Sequence, residues 1–292
     1  MIRLGHIEYS NCFPVHARLV DEAGPADVAL HTGVPAVLNR MLAAGEIDVA
    51  PCSSIEYARH AGQYRVLPGF VIGSDGPVQS IRFDARVSPE RLKGTVYVTD
   101  SSATSVALLR ILLTRYWNVT PRFETFDQSA RDPLAEGADA ALFIGDVALR
   151  RPLDSAEYAF DLGEVWKQWT GLPFAFAVWQ ARTDLGAAQV TRIHELLRDS
   201  HAWFRQHHAR LAVKYASHFA MDAAVLDQYW ASLKYDLDAR MREGLLRFLA
   251  LAAELGEAPP VPRIEFAQLL TQPARQSGVQ PSTAFPGART QD

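Results

Sequence analysis

Short apolar blocks alternate with helix-spaced patterns along most of the chain. "IRLGHI" (2–7) reads as a strand and "FPVHARLV" (13–20) as a helix. "ADVALHT" (26–32) is a second strand. "VPAVLNRMLAAG" (34–45) is a helix whose last residue, Gly45, suits a helix end. "IDVAP" (47–51) is a third strand, opening into the helical "SSIEYARHAG" (53–62). Strand–helix alternation of this kind predicts an α/β domain with a parallel or mixed sheet.

After "VIGSDGPVQSI" (71–81) the pattern restarts. "QSIRFDAR" (79–86) is extended, "GTVYVTD" (94–100) is a strand, and "SATSVALLRILLTRYW" (102–117) is a helix apolar nearly all round, hence buried. Strands at 121–126 and 138–146 and a short helix at 163–171 follow. "LPFAFAVWQAR" (172–182) is then a long apolar strand. From about Leu185 only helices remain. Val225, Leu226, Tyr229, Trp230 and Leu233 keep helical spacing, with Asp222 as N-cap. Met241, Leu245, Phe248, Ala252 and Leu255 repeat it.

The restart suggests a second α/β unit inserted into the first. Lobe 1 is then 1–75 with 178–270, including the C-terminal helices, and lobe 2 is 76–177. Residues 271–292, rich in Pro, Gly, Ser and Gln, are expected to be disordered. A cleft between inserted lobes is a favoured place for a ligand.

A net charge of −4 gives no general attraction to nucleic acid or to an anionic membrane. No apolar run is long enough to span a bilayer, and the opening residues lack a signal-peptide pattern. The expectation is a cytoplasmic protein, with Cys12 and Cys52 as reduced, buried thiols. Phosphate-loop, dinucleotide and GxSxG motifs are absent. There is no HExxH and no Cys/His cluster at ligand spacing, so no metal is expected.

Four segments could carry chemistry. In "YSNCFP", Asn11 follows a strand end, where open α/β sheets bind ligands; position alone favours a helix cap. In "APCSSIEY", Ser53 and Glu56 have capping-box spacing, and Ser53 and Ser54 open a helix whose N–H groups could bind an anion. In "TDSSATSVALL" one cap needs one hydroxyl, and the excess points to an anion held around Ser102, Ala103 and Thr104. In "LFIGD", Gly145 permits close backbone approach, while Asp146 binds a ligand hydroxyl or caps the next helix; the cap is favoured.

These segments, with "IDVAPCSSIEYA", "SDGPVQS" and "WKQWTGLPF", are collinear over about 2–255 with a known family. The chain resembles the chorismate dehydratases, the first enzymes of the futalosine route to menaquinone. The resemblance implies a type II periplasmic-binding-protein-like fold, two α/β lobes with a ligand cleft, followed here by the helical C-terminal region. It implies removal of water from chorismate to give 3-(1-carboxyvinyloxy)benzoate. Loss of the C3 proton and the C4 hydroxyl makes the ring aromatic, so no cofactor is expected. Carried over, the Asn of "SNCFP" is Asn11 and the Ser of "GPVQS" is Ser80, the two polar active-site residues. The helix starts after Cys52 and Ser101 would each receive one substrate carboxylate. Arg82 has no place in the family pattern and is expected on a surface strand unless it faces the cleft. Two rivals share the fold. One is the 1,4-dihydroxy-6-naphthoate synthase of the same route, disfavoured because no histidine lies between His60 and His194. The other is a non-catalytic small-anion-binding protein.

Overall fold

A computed structural model describes residues 1–22, 24–152 and 156–270. The tail expected to be disordered, 271–292, lies outside them. The strands divide between two five-stranded sheets. One holds β1 (Ile2–Ile7), β2 (Val28–Gly33), β3 (Val49–Ser53), β4 (Tyr64–Ser74) and β10 (Phe174–Arg182), in the order β2-β1-β3-β10-β4. The other holds β5 (Ile81–Ala85), β6 (Thr95–Thr99), β7 (Arg122–Phe126), β8 (Ala140–Ile144) and β9 (Tyr158–Asp161), in the order β7-β6-β8-β5-β9.

The apolar run of β10 has a topological reason. It lies between β3 and β4, antiparallel to both, and is buried from Phe174 to Ala181. A strand flanked on both edges and covered on both faces has no position that faces water. Its first residue, Phe174, pairs with Ser74, the last residue of β4, so the chain leaves and re-enters the first sheet at neighbouring positions.

Helices α1 (Phe13–Asp21), α2 (Pro35–Ala43) and α3 (Ser54–Arg59) follow β1, β2 and β3. Helix α4 (Ala103–Ile111) follows β6 and widens into a π-helical turn, Leu112–Tyr116. Its Leu108, Leu109, Ile111, Leu112 and Leu113 are buried, as an all-round apolar helix must be. Helix α5 (Gly145–Arg150) follows β8, and α6 (Leu162–Thr170) ends at Gly171 in the left-handed conformation. The helical region is α7 (Ala187–Tyr215), α8 (Ala223–Ser232) and α9 (Ala239–Glu254). Asp222 caps α8 as expected, accepting from Ala224 and Val225 N–H. Helix α7 packs on α1, and α9 packs on β10 and α4. Past α9 the chain continues along the edge of β4, where Val66 N–H donates to Glu265 O and Ala267 N–H to Val66 O.

The crossing at 75–80 is held by one carboxylate. Asp161, the N-cap of α6, accepts backbone N–H bonds from Val78, Gln79, Gly163 and Glu164. These bonds hold Gln79 at a φ of 66°, a region unusual for a residue with a side chain. Arg82 lies on neither a surface strand nor the cleft. It is buried, clasping Asp84 and donating to the carbonyls of Arg151 and Pro152.

Candidate active site

The carboxyl ends of β1, β3, β6 and β8 meet where the two sheets face each other. At or just past these ends lie Asn11, Ser53, Ser102 and Gly145, which all line one small cavity of about 30 Å³. That volume holds about one water molecule. Ile7, Ile72, Ile81, Ile144 and Phe176 make the rest of its wall largely apolar.

Asn11 caps nothing. Helix α1 begins after Cys12 and has no side-chain cap, with Pro14 in its first turn. The Asn11 Oδ1 atom is buried with no hydrogen-bond partner. An unpartnered buried carbonyl oxygen is costly in a finished core, and is what a ligand-binding position displays.

The capping box predicted at Ser53 does not form. Ser53 occupies the N-cap position of α3 without a side-chain bond, and Glu56 turns instead to Arg59 and His60. Ser54 donates its hydroxyl proton to Ala175 O, which ties α3 to β10. Ser102 caps α4, accepting from Ser105 N–H, and Ser105 also lines the cavity. Thr104 Oγ1 accepts from Ile55 N–H at 3.3 Å and so joins the two helix starts. In this arrangement α3 can offer that N–H to a ligand only if the lobes part. Ala103, beside Ser102, contributes the first backbone N–H of α4, a group with no intrahelical partner.

Gly145 has a φ of 62°, and a Cβ built there would sit 2.9 Å from the Tyr9 ring. Glycine is required twice over, by the backbone and by the ring. Asp146 is not an N-cap; it stands within the first turn of α5. Its carboxylate accepts from Ser10 N–H at 3.2 Å and from Ser10 Oγ–H at 2.5 Å, bridging the lobes. Burial pushes this carboxyl upward from its ordinary range, opposed by the two Ser10 donors.

Ser80 is fully buried beside Ile81, and its carbonyl accepts from Gly145 N–H. Its hydroxyl accepts from the Tyr229 hydroxyl at 2.7 Å, which also faces the Asn11 side chain. Asn11 and Ser80, far apart in sequence and on segments beside different sheets, therefore converge on one phenol. Next to it, Trp230 Nε1–H donates to Ser10 O, and the Tyr235 hydroxyl donates to Asn11 O. The helical region braces both site loops. Sequence reading passed over Tyr9, Ser105 and Tyr229. Only a hydroxyl on an otherwise apolar helix face marked Tyr229.

A second, wider cavity of about 730 Å³ lies on the far side of Ser10–Asn11, lined by Phe204, Trp230, Lys234, Tyr235 and Asp236 among others. It contains none of the candidate residues. The interlobe cavity is the better centre for chemistry despite its smaller volume.

Among the described residues, no histidine, lysine, arginine or carboxylate lines the interlobe cavity. Below it, His6, Cys12 and His16 gather their donor atoms within 4.8 Å of one another. His16 Nε2 accepts from Trp179 Nε1–H at 3.0 Å, which puts the His16 proton on Nδ1. Two donor atoms then remain, fewer than a structural cation takes. Burial pushes the Cys12 thiol up to about 12 and holds both imidazoles in the neutral form. Cys52 is likewise a buried thiol pushed upward.

Comparison with known proteins gives the family and the fold. The chain is 31% identical over 263 residues to a chorismate dehydratase of Thermus thermophilus, covering 84% of this chain and 93% of that protein. It is 31% identical over 177 residues to a chorismate dehydratase of Campylobacter jejuni, covering 59% and 64%. Among solved structures, an Archaeoglobus fulgidus protein superposes with a TM-score of 0.72 at 19% identity, covering 88% of this chain and 98% of that one. The periplasmic aliphatic sulphonate binding protein of Escherichia coli gives 0.62 at 17% identity, covering 99% and 97%. The fold is thus that of the periplasmic binding proteins. Among the described residues, no helix is long and apolar enough to cross a membrane. A family model described as "Menaquinone biosynthesis" matches residues 2–254, and with the Thermus relative it shows that the chain belongs to the menaquinone-biosynthesis family that includes the chorismate dehydratases.

Proposed function

We propose that the protein is a carbon–oxygen lyase that removes water from chorismate to give 3-(1-carboxyvinyloxy)benzoate. The observation that carries the mechanism is the missing side-chain base. The cavity wall holds hydroxyls, one amide and apolar groups, and the nearby Asp146 carboxylate is engaged by Ser10. Tyr9, the one titratable group among the described residues of the wall, is pushed upward by burial and stays protonated. The proton at C3 then goes to a carboxylate of the substrate itself. An amide cannot act as general base, so Asn11 orients that carboxylate or the charge developing beside it. Ser80 donates to the departing C4 oxygen. The first N–H groups of α4, at Ala103 and Thr104, with Ser102 and Ser105 beside them, receive one carboxylate. Ser53 and the start of α3 receive the other once Thr104 releases Ile55 N–H.

Chorismate is far larger than one water molecule, so binding requires the lobes, 1–75 with 178–270 and 76–177, to part and reclose. Incubation with chorismate, followed by chromatography for the aromatic enol ether, tests the reading. Binding of chorismate without formation of that product refutes it in favour of an anion-binding protein.

A further inference from the structure

Tyr229 commits its hydroxyl as well as its ring. The side chain is 1% exposed, on the face of α8 turned towards the site loops. Its Oη donates to Ser80 Oγ, and Ser80 is itself 0% exposed. A serine hydroxyl has one proton and two lone pairs. Tyr229 fills a lone pair from behind, and it is the side chain that the Ser80 hydroxyl bonds among the described residues. Ser80 does not line the closed cavity, although its neighbour Ile81 does; its proton is the group left to reach a substrate once the lobes part.

We propose that Tyr229 is a positioning residue that fixes Ser80 as a hydrogen-bond donor to the oxygen leaving C4. The inference rests on the dehydratase reading above and deepens it. As the C4–O bond breaks, its electron pair leaves with the oxygen. That oxygen takes the Ser80 proton and departs as water. The C3 proton, first held by the substrate carboxylate, restores the Ser80 hydroxyl. Tyr229 keeps its proton throughout and stabilises the negative charge that builds briefly on Ser80 Oγ. Burial holds the phenol far above its ordinary range, so the donor persists at any working pH. Hydrogen bonds in such a chain strengthen one another: a serine that accepts a strong bond is a better donor.

The test is a double-mutant cycle with chorismate as substrate. Tyr229→Phe removes one oxygen and leaves the ring. It should lower kcat about 100-fold, the usual cost of removing a donor to developing charge. KM should stay within about threefold and the unfolding temperature near that of the wild type, since the effect falls on the transition state. In a Ser80→Ala background the same substitution should change kcat by less than about twofold, because its route of action is gone. Unchanged kcat in Tyr229→Phe, or losses that multiply in the double variant, would overturn the assignment while leaving the dehydratase reading intact. Absence of turnover in the wild type overturns both. If Tyr229→Phe does not fold, 3-fluorotyrosine at position 229 replaces it. A more acidic phenol donates more strongly, so kcat should rise, and an unchanged or lower kcat overturns the proposal.

Discussion

Acid should unfold this protein through the pair of neutral imidazoles beneath the cavity. His6 and His16 stack at 4.9 Å, and both are buried. Desolvation is the main cause that holds His6 at about 4, against an ordinary 6.5, and the nearby His218 adds to it. A histidine with a depressed folded pKa contributes stability that is complete above 6.5 and is lost as pH falls through the folded value. Between 6.5 and about 4.5 the unfolded chain holds up to one more proton at this site than the folded chain does, and stability falls while that difference lasts. The loss from His6 between about pH 7 and about pH 4.5 is about 2.5 kcal/mol: about 1.4 kcal/mol per unit below 6.5, reduced by the folded chain's own proton uptake near 4. His16, lowered further by burial and by His6, acts in the same direction. Asp146 and Asp161, raised by burial, act oppositely: their contribution is present at low pH and lost as pH rises through their folded values. The assay must therefore be differential. Urea unfolding of wild type and His6→Gln, at about pH 7 and about pH 4.5, gives the stability gap between the two proteins. That gap should move by about 2.5 kcal/mol in favour of the variant on acidification. A gap that does not move, or moves the other way, refutes the buried neutral imidazole.

Three further outcomes follow from the site. Gly145→Ala forces a side chain to a φ of 62° against the Tyr9 ring; it should lose about 1–2 kcal/mol from backbone strain alone and most activity, measured by thermal unfolding and turnover. Asp146→Ala removes the charge-assisted bonds to Ser10 and should shift the lobes towards an open arrangement by about 1.5–3 kcal/mol, read as a larger radius in X-ray scattering and a higher KM. Asn11→Ala should lower kcat by about 100-fold while calorimetry still detects chorismate binding, and normal turnover in that variant would remove Asn11 from the mechanism.

The strands and helices were legible because their apolar blocks are local. The restart after Ile81 and the return strand ending at Arg182 could both be read, and the two sheets follow them. What was not legible is which of several possible partners, near or far, each polar group takes in the fold. Ser53 and Glu56 have capping spacing, but Arg59 and His60 draw Glu56 away. Asp146 resembles a cap until Ser10, 136 residues earlier, comes to meet it. Tyr229 reads as one more core position of an amphipathic helix, since its hydroxyl finds Ser80 only across 149 residues. Arg82 has no visible partner in a sequence until Asp84 and the carbonyls near 151 fold around it. Helical spacing gives the face of a side chain, whereas its polar end is settled by tertiary contact.

The neighbouring exit and return at Ser74 and Phe174 also set an order of assembly. Strand β10 is the partner of both β3 and β4, yet it leaves the ribosome after every strand of the second sheet. Until it arrives, β3 and β4 each present a bare edge, open to a wrong neighbour. The second sheet, built wholly from 81–161, can be complete by then. The later-numbered sheet is thus the earlier one to close during synthesis, and the first sheet waits for a single strand to complete it.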